Sequence, residues 1–263
     1  FAAFVFIPAL GFSTTYLLAV LVSALVGVVA WKTPEMEVTA PRGESAAERA
    51  VAKQGATARD PVPAVERFSM WALCFVSGFV ILALEVVWTR IFAQYHENSV
   101  YSYAIILIVV LVGLAAGSGI SSIIARFVTR PWAALGVMTL VGGGLLVLGP
   151  SMLMRVTHGL RTMHSLEPWG DYVLGLFDTG IRGLGLVVVA MGTVFPFLMK
   201  LAEREGAASG GTLGRLLAIN TAGAIFGALL CGFVLLPAWG MWGTLQALTA
   251  MYLVVALLLP LGR

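Results

Sequence analysis

The chain has 263 residues, of which 59% are hydrophobic and only 11% are charged, and its mean hydropathy is +0.95. Soluble domains contain about 45–50% apolar and about 25% charged residues, so this composition excludes a single water-soluble globule and indicates a polytopic membrane protein. The net charge of +3, from 16 basic and 13 acidic residues, is too small to indicate a nucleic acid as partner.

Seven apolar stretches are long enough to cross a membrane as helices. A bilayer core of about 30 Å needs about 20 apolar residues in a helix. Stretches of that length with few charges lie near 3–31, 69–92, 99–127, 132–154, 181–199, 215–237 and 239–260. We therefore expect an all-α fold, a transmembrane helical bundle whose environment is membrane lipid.

Residues 32–68 separate the first two spans and differ in composition. This segment is rich in Ala, Glu, Arg and Pro, so it cannot bury a core and is predicted to be a flexible linker. Lys and Arg in short loops collect on the cytoplasmic side of a membrane. Twelve of the 16 basic residues lie in the linker, in two alternate loops and at Arg263. The linker and the C-terminus are therefore predicted to face the cytoplasm, at a bacterial inner membrane.

The loop after the fourth span has a pattern of its own. Arg155, His158, Arg161 and His164 recur every three residues. That spacing suits an amphipathic helix in the headgroup plane, although the solvated face of a surface helix is the interpretation that we favour. The two histidines are six positions apart rather than four, so they do not predict a shared metal ion.

Polar residues inside the predicted spans are the candidate functional residues, because a charge in hydrocarbon is costly and such residues face a bundle interior. The candidates are Glu85, Arg90, Asp178, Arg182 and Asn220. Glu85 is expected to point into the bundle and to meet Arg182 first or Arg90 second. Asp178 and Arg182 also have the i,i+4 spacing of an ion pair. The alternative to a functional site is a structural ion pair that fixes helix register.

Two small-xxx-small patterns predict close helix packing. They are Gly113 with Gly117, and Gly223 with Gly227. The first pair lies within an apolar span rather than after a strand, which excludes a phosphate-binding loop. Such faces also offer a place for other membrane subunits to pack.

The chain contains no motif for nucleophilic or metal catalysis and no dinucleotide-binding fingerprint. Cys74 and Cys231 each lie inside an apolar run without metal-ligand spacing, and they are predicted to be buried thiols. We therefore predict no catalytic residue, no metal site and no cofactor in this chain.

An internal repeat relates the two ends of the chain at an offset of 229 positions. Residues 3–15 align with residues 232–244 and are identical at six of thirteen positions, with Pro8 over Pro237 and Gly11 over Gly240. The pattern predicts a helix that ends at Pro-Ala-x-Gly, a tight turn and a new helix that begins at Thr. Residues 1–31 are then the last helix of a first repeat, and residues 69–263 are a complete second repeat of six helices.

A series of short motifs follows a fixed order along the chain. It runs through Ser77-Gly-Phe, Glu85-x-x-Trp88-x-Arg90, Ser99-Val-Tyr-Ser, Gly113-Leu-Ala-Ala-Gly-Ser118, Met191-Gly-Thr-x-x-Pro196, Gly214-Arg-Leu-x-Ala-x-Asn220 and Gly232-Phe-x-Leu-Leu-Pro237. The series resembles the membrane part of fused, membrane-bound spermidine synthase-like proteins. The resemblance implies a cytoplasmic aminopropyltransferase-type domain, which would bind decarboxylated S-adenosylmethionine and a polyamine. That domain would have to follow Arg263, so no catalytic residue carries over.

Three functions are compatible with these features. The favoured one is a non-catalytic membrane module of a spermidine synthase-like protein, acting as an anchor or as a polyamine or small-solute handling unit. The second is half of a twelve-helix secondary transporter, in which Glu85 and Arg182 line a path. The third is an accessory subunit that packs into a larger membrane complex through its glycine-rich faces.

Overall fold

The computed structural model describes residues 7–32, 64–95, 100–159, 168–204 and 210–259. Throughout these ranges the regular structure is helical and no strand is present, which confirms the all-α prediction. The chain divides into two compact units, Phe1–Asp60 and Pro61–Arg263, which we describe separately. Most of the predicted linker lies outside the described residues.

The first unit contains a sharp turn between two helices. Helix α1 is Ile7–Leu10 and helix α2 is Phe12–Lys32. Gly11 between them has a φ of 79°, a left-handed conformation that glycine adopts without a steric penalty. The helix predicted over 3–31 is therefore interrupted, and its long part begins at Phe12. The apolar stretch Ser13–Val29 within α2 is slightly shorter than the about 20 residues that a helix needs to cross a bilayer core.

The second unit begins with three long helices. They are α3 (Ala64–Tyr95), α4 (Val100–Phe127) and α5 (Pro131–Val156). Proline fits the first turn of α5 because that position needs no N–H donor. Arg126 lies in the last turn of α4, where a cation interacts favourably with the helix dipole. Helices α3 and α5 extend the predicted spans 69–92 and 132–154 by a few residues, and α4 matches the predicted span 99–127 to within one residue.

The fifth predicted span begins earlier than expected. Helix α6 (Trp169–Gly180) continues through a π-helical turn at Ile181–Gly185 into α7 (Leu186–Gly192) and α8 (Val194–Arg204). The sequence predicted a start near 181, between Asp178 and Arg182. The structure places these two charges four residues apart on one helix face, where they pair and do not end the helix.

The last helical region contains the second copy of the Pro-Ala-x-Gly corner. Helix α9 (Gly210–Leu230) continues through a π-helical turn at Cys231–Leu235 into α10 (Leu236–Leu257). Gly240 inside α10 is non-helical, with φ of 66° and ψ of −177°. The apolar range Gly211–Leu257 has 47 residues, more than twice the length that a single crossing needs. The break at Gly240 divides it at the boundary between the predicted spans 215–237 and 239–260.

Five ranges of the described residues are long and apolar enough to cross a membrane. They are Arg67–Gln94, Val100–Phe127, Pro131–Val156, Trp169–Glu203 and Gly211–Leu257. The last range contains the corner at Gly240 and includes two of the predicted spans, 215–237 and 239–260. The second unit is therefore a membrane-spanning helical bundle.

Helices α3 and α9 run parallel at very short distance. A Cβ atom on Gly223 would collide with the backbone carbonyl of Phe75, and one on Gly227 with the carbonyl of Phe79, four residues further along both helices. Four residues further again, the Cys231 thiol donates a hydrogen bond to an α3 carbonyl at 3.2 Å. Small residues at this spacing let the two backbones touch.

Helices α4 and α7 form a second parallel contact of the same kind. A Cβ on Gly113 would lie 2.9 Å from Val188 Cγ1, and one on Gly117 would lie 2.7 Å from the carbonyl carbon of Gly192. All four glycines predicted as packing residues thus lie between helices of this chain. Both glycine faces therefore pack against other helices of the same bundle.

Candidate intramembrane polar site

Glu85 lies in the C-terminal half of α3, among buried apolar residues. Its neighbours Leu84 and Val87 are buried, and Trp88, one turn further, is also buried. The Glu85 side chain itself is partly buried. Among the described residues, no ion pair or hydrogen bond engages its carboxylate. A carboxylate within an apolar span and without a partner is energetically costly.

Arg182 pairs with Asp178 on its own helix rather than with Glu85. The Arg182 Nε lies 2.7 Å from Asp178 Oδ1, and the two side chains are 66% and 50% exposed. Arg182 is part of the π-helical turn Ile181–Gly185. The ion pair expected between Glu85 and Arg182 is absent from the described part of the chain, and Arg90 is exposed at the surface of α3.

The heights of these residues along the bundle explain why Glu85 and Arg182 do not meet. The contacts of Gly149 on α5 place Trp88 and Val187 at one level, because a Cβ there would lie 3.9 Å from Trp88 Cζ2 and 3.7 Å from Val187 Cγ2. Glu85 lies three residues to one side of this level and Arg182 five residues to the other. At about 1.5 Å per residue their Cα atoms differ by about 12 Å along the axis.

Asn220 lies at the closest contact between α3 and α9. A Cβ on Gly78 would collide with the Asn220 backbone oxygen and would lie 2.9 Å from its Oδ1. That Oδ1 atom is buried and has no hydrogen-bond partner among the residues that the structure describes. Gly78 is seven residues before Glu85, so Asn220 is about 10 Å away from Glu85 along the axis. Of the five predicted polar-site residues, the structure brings together Asp178 and Arg182.

Sequence reasoning did not single out four other buried polar atoms. They are Ser77 Oγ, Trp88 Nε1, Ser121 Oγ and the Tyr252 hydroxyl oxygen, each without a hydrogen-bond partner in the described part of the chain. Unpaired buried polar atoms are rare in proteins and call for an explanation. Trp88 offered a signal, since it follows Glu85 by one turn in the Glu85-x-x-Trp88 motif. Ser77 offered one as well, since Ser77-Gly-Phe begins the series of motifs, whereas Ser121 and Tyr252 lie in apolar runs and offered none.

Two grooves lie on the surface of the bundle. One has a volume of about 520 Å³ and is apolar, and it runs between α4 and the region 177–189, next to the Asp178–Arg182 pair. The other, of about 390 Å³, runs between α5 and α10 and includes Pro150, Gln246 and Thr249. Neither groove is lined by Glu85, and the described residues contain no cluster of potential metal ligands.

Comparison with known proteins relates the chain to an enzyme of polyamine chemistry. It is 30% identical over 215 residues to polyamine aminopropyltransferase 2 of Streptomyces coelicolor. The match covers 77% of this chain and 36% of the relative, so the chain spans about a third of the length of the curated protein it matches. No family model matches the chain, and no solved structure matches it. The chain is thus a membrane-spanning region with a distant similarity to a polyamine aminopropyltransferase.

Proposed function

We propose that this chain is the non-catalytic membrane module of a polyamine aminopropyltransferase-like protein, which anchors a soluble catalytic domain to a bacterial inner membrane. The observation that carries the proposal is the unequal coverage of the match. Most of this chain aligns with the relative, yet most of the relative's length lies elsewhere. The described part of the chain consists of apolar helices and has no cluster of potential metal ligands.

The distribution of basic residues supports a cytoplasmic location for such a domain. Exposed basic residues lie on one side of the bundle, where α3, α5 and α9 begin and α4 ends. They are Arg67 on α3, Arg126 on α4, Arg130 before α5 and Arg215 on α9. Because basic residues collect on the cytoplasmic side, this side is the cytoplasmic one in our proposal. The linker 32–68 and the C-terminus then lie on the same side.

The two glycine corners support the proposed division into repeats. Gly11 and Gly240 both have positive φ, of 79° and 66°. The Thr15 hydroxyl donates a hydrogen bond to the Gly11 carbonyl at 2.9 Å, and the Thr244 hydroxyl donates one to the Gly240 carbonyl at 2.7 Å. In our proposal, residues 1–31 end a first repeat, residues 32–68 form the linker, and residues 69–263 form a second repeat.

The complete encoded protein provides the test. We would express it with and without residues 1–263, separate membranes from soluble protein, and measure aminopropyl transfer from decarboxylated S-adenosylmethionine to a polyamine. The proposal expects activity in the membrane fraction for the complete protein. It expects activity of equal turnover in the soluble fraction for the truncated one. A reading frame without an aminopropyltransferase domain would overturn the proposal, and lost turnover on truncation would show that the module does more than anchor.

The Glu85 carboxylate, which has no ion-pair or hydrogen-bond partner among the described residues, favours a second candidate function, the handling of a cationic solute such as a polyamine. A carboxylate at membrane depth that no described cation neutralises is available to an ammonium group. In this version the chain is half of a twelve-helix transporter. Uptake of a labelled polyamine into proteoliposomes that contain the complete protein tests it, and uptake equal to that of empty liposomes would reject it.

An accessory subunit that docks through its glycine faces receives less support from the structure. The chain's own helices already cover both glycine faces. Helix α7 covers Gly113 and Gly117, and helix α3 covers Gly223 and Gly227. A partner subunit would therefore need a different surface.

A further inference from the structure

The groove between α4 and the region 177–189 is open towards the lipid. Its volume is about 520 Å³, and every residue that lines it is apolar. Three of these residues, Val112, Ile181 and Leu186, are 63%, 58% and 53% exposed, so no other helix in the described part of the chain covers the groove. A groove without polar groups favours hydrocarbon over water. It therefore offers room for an acyl chain.

Aromatic side chains mark the membrane surface near this groove. The ring centroids of Tyr101 and Trp169 lie 4.6 Å apart where α4 and α6 begin, and Tyr and Trp are enriched at the level of the headgroups. Gly180 lies at the level of residues 105–109, since a Cβ there would lie within 3.5 Å of both end residues. The Asp178–Arg182 pair, centred on Gly180, is thus about 6–12 Å deeper than Tyr101. The headgroup region of one leaflet is about 5–8 Å thick, so the pair lies near the boundary between headgroups and acyl chains.

The groove extends from the level of this ion pair towards the centre of the bilayer. Residues of α4 from Ile108 to Ala116 line it, and they span about 12 Å along the helix axis. The hydrocarbon of one leaflet is about 15 Å thick, so the groove follows most of the path of one acyl chain. An apolar groove of this length that begins beside an ion pair matches the shape of a phospholipid.

The ion pair at the headgroup end of the groove retains free hydrogen-bonding groups. Arg182 Nε lies 2.7 Å from Asp178 Oδ1. A guanidinium group has further N–H donors and a carboxylate has a second oxygen, and these have no partner among the described residues. Guanidinium groups bind phosphate, and carboxylates bind cationic donors. The pair is therefore complementary to a headgroup that contains both a phosphate and an ammonium group.

We propose that this groove is a binding site for a zwitterionic phospholipid of the phosphatidylethanolamine type. One acyl chain lies in the groove, the phosphate binds Arg182, and the ammonium group binds Asp178. The pair has one negative and one positive charge, which matches a headgroup with one of each. Phosphatidylglycerol has the phosphate but no ammonium group, so it leaves Asp178 without a cation and beside a second anion. The site does not depend on the proposed function.

Native mass spectrometry of the complete encoded protein in a mild detergent tests the headgroup preference. Phosphatidylethanolamine and phosphatidylglycerol with identical acyl chains are added in equal amounts. We expect one phosphatidylethanolamine to be retained about fivefold more often than phosphatidylglycerol, because Asp178 forms an exposed ion pair with the ammonium group. Equal retention of the two lipids, or a preference for phosphatidylglycerol, would overturn the proposal.

Three substitutions assign that preference to the ion pair. Asp178→Asn is expected to reverse the preference in favour of phosphatidylglycerol, because the remaining charge is positive. Arg182→Gln is expected to lower retention of both lipids about tenfold through loss of a charge-assisted hydrogen bond to the phosphate. Arg155→Gln is the control, since Arg155 is exposed at the end of α5 and does not line the groove. Equal losses for Arg155→Gln and Arg182→Gln would reject a specific site.

A matched pair of substitutions tests the position of the acyl chain. Ala116 lines the groove, whereas its neighbour Ala115 is also exposed but does not line it. Ala116→Phe fills the groove and is expected to lower retention of phosphatidylethanolamine about tenfold, while Ala115→Phe leaves it unchanged. Equal effects of the two substitutions would contradict binding in the groove.

Cross-linking of the unmodified protein provides a measurement that requires no variant to fold. The complete protein is reconstituted with phosphatidylethanolamine that carries a diazirine in one acyl chain, irradiated, and digested for mass spectrometry. We expect the labelled peptides to concentrate in residues 108–116 and 177–189. Equal labelling of exposed residues on α10, such as Val254 and Leu257, would overturn the proposal, as would unlabelled groove peptides.

Discussion

Substitution of Glu85 distinguishes a functional intramembrane site from a structural ion pair that fixes helix register. It lacks an ion pair and a hydrogen bond within the described ranges, so Glu85→Gln removes a charge without breaking a contact. We expect the free energy of unfolding in detergent to rise by about 1 kcal/mol, less than the ~2.5–3.5 kcal/mol cost of a fully buried charge, because the side chain is only partly buried. Polyamine uptake, if the module handles solute, is expected to be abolished.

Glu203→Gln is the control for that substitution. Glu203 is exposed near the end of α8, and its replacement is expected to change the free energy of unfolding by less than about 0.5 kcal/mol. A loss of stability on Glu85→Gln, with Glu203→Gln silent, would show that Glu85 has a partner in the complete protein and serves to fix helix register.

The Asp178–Arg182 pair is expected to contribute little to stability. Both side chains are at least half exposed, and ion pairs of this kind couple by about 0.3–0.5 kcal/mol. A double-mutant cycle with Asp178→Asn and Arg182→Gln, followed by unfolding in detergent, measures the coupling. A coupling energy above about 2 kcal/mol would mean that another part of the complete protein covers the pair.

At the scale of helices, the glycine contacts are expected to control assembly of the bundle. Gly117→Ala would drive a Cβ into the backbone of α7, whereas Gly119→Ala, two residues further, has open space. We expect Gly117→Ala to lower the free energy of unfolding by about 1–3 kcal/mol. Gly119→Ala is expected to raise it by about 0.5–1 kcal/mol, because alanine restricts the unfolded chain and favours a helix. Urea or thermal unfolding in a mild detergent checks both, and equal effects would contradict the packing.

The helices also show which structural features a local sequence pattern predicts and which it does not. The spacing of Gly113 and Gly117 predicted a packing face, but not that α7 would occupy it, because a small-residue pattern has no information about its partner. The apolar run predicted a span from 181, whereas the helix begins at Trp169. A count of charges treats Asp178 and Arg182 as two separate charges, although the two side chains form an ion pair on one face of the helix.

For the whole molecule, the distribution of basic residues predicts one orientation in the membrane. In a background in which Cys74 and Cys231 are replaced by alanine, single cysteines introduced by Arg59→Cys and Arg204→Cys are expected to react with an impermeant maleimide from the same, cytoplasmic side. Arg59 lies in the predicted linker and outside the described residues. Labelling of the two positions from opposite sides would reject the orientation.

Composition and periodicity by themselves determined that this protein is an all-α membrane bundle, where most of its helices lie, and that glycine corners occur at positions 11 and 240. These features are local, since hydropathy, helix length and positive φ depend on residues near one another in the chain. The spacing of Asp178 and Arg182 already predicted their ion pair, but only the tertiary structure decided that Glu85 does not meet Arg182. Pairing depends on relative height, and the separation of about 12 Å along the axis between Glu85 and Arg182 follows from how α3, α5 and α7 pack. That axial offset cannot be derived from the sequence alone, because the offset results from many side-chain contacts acting together.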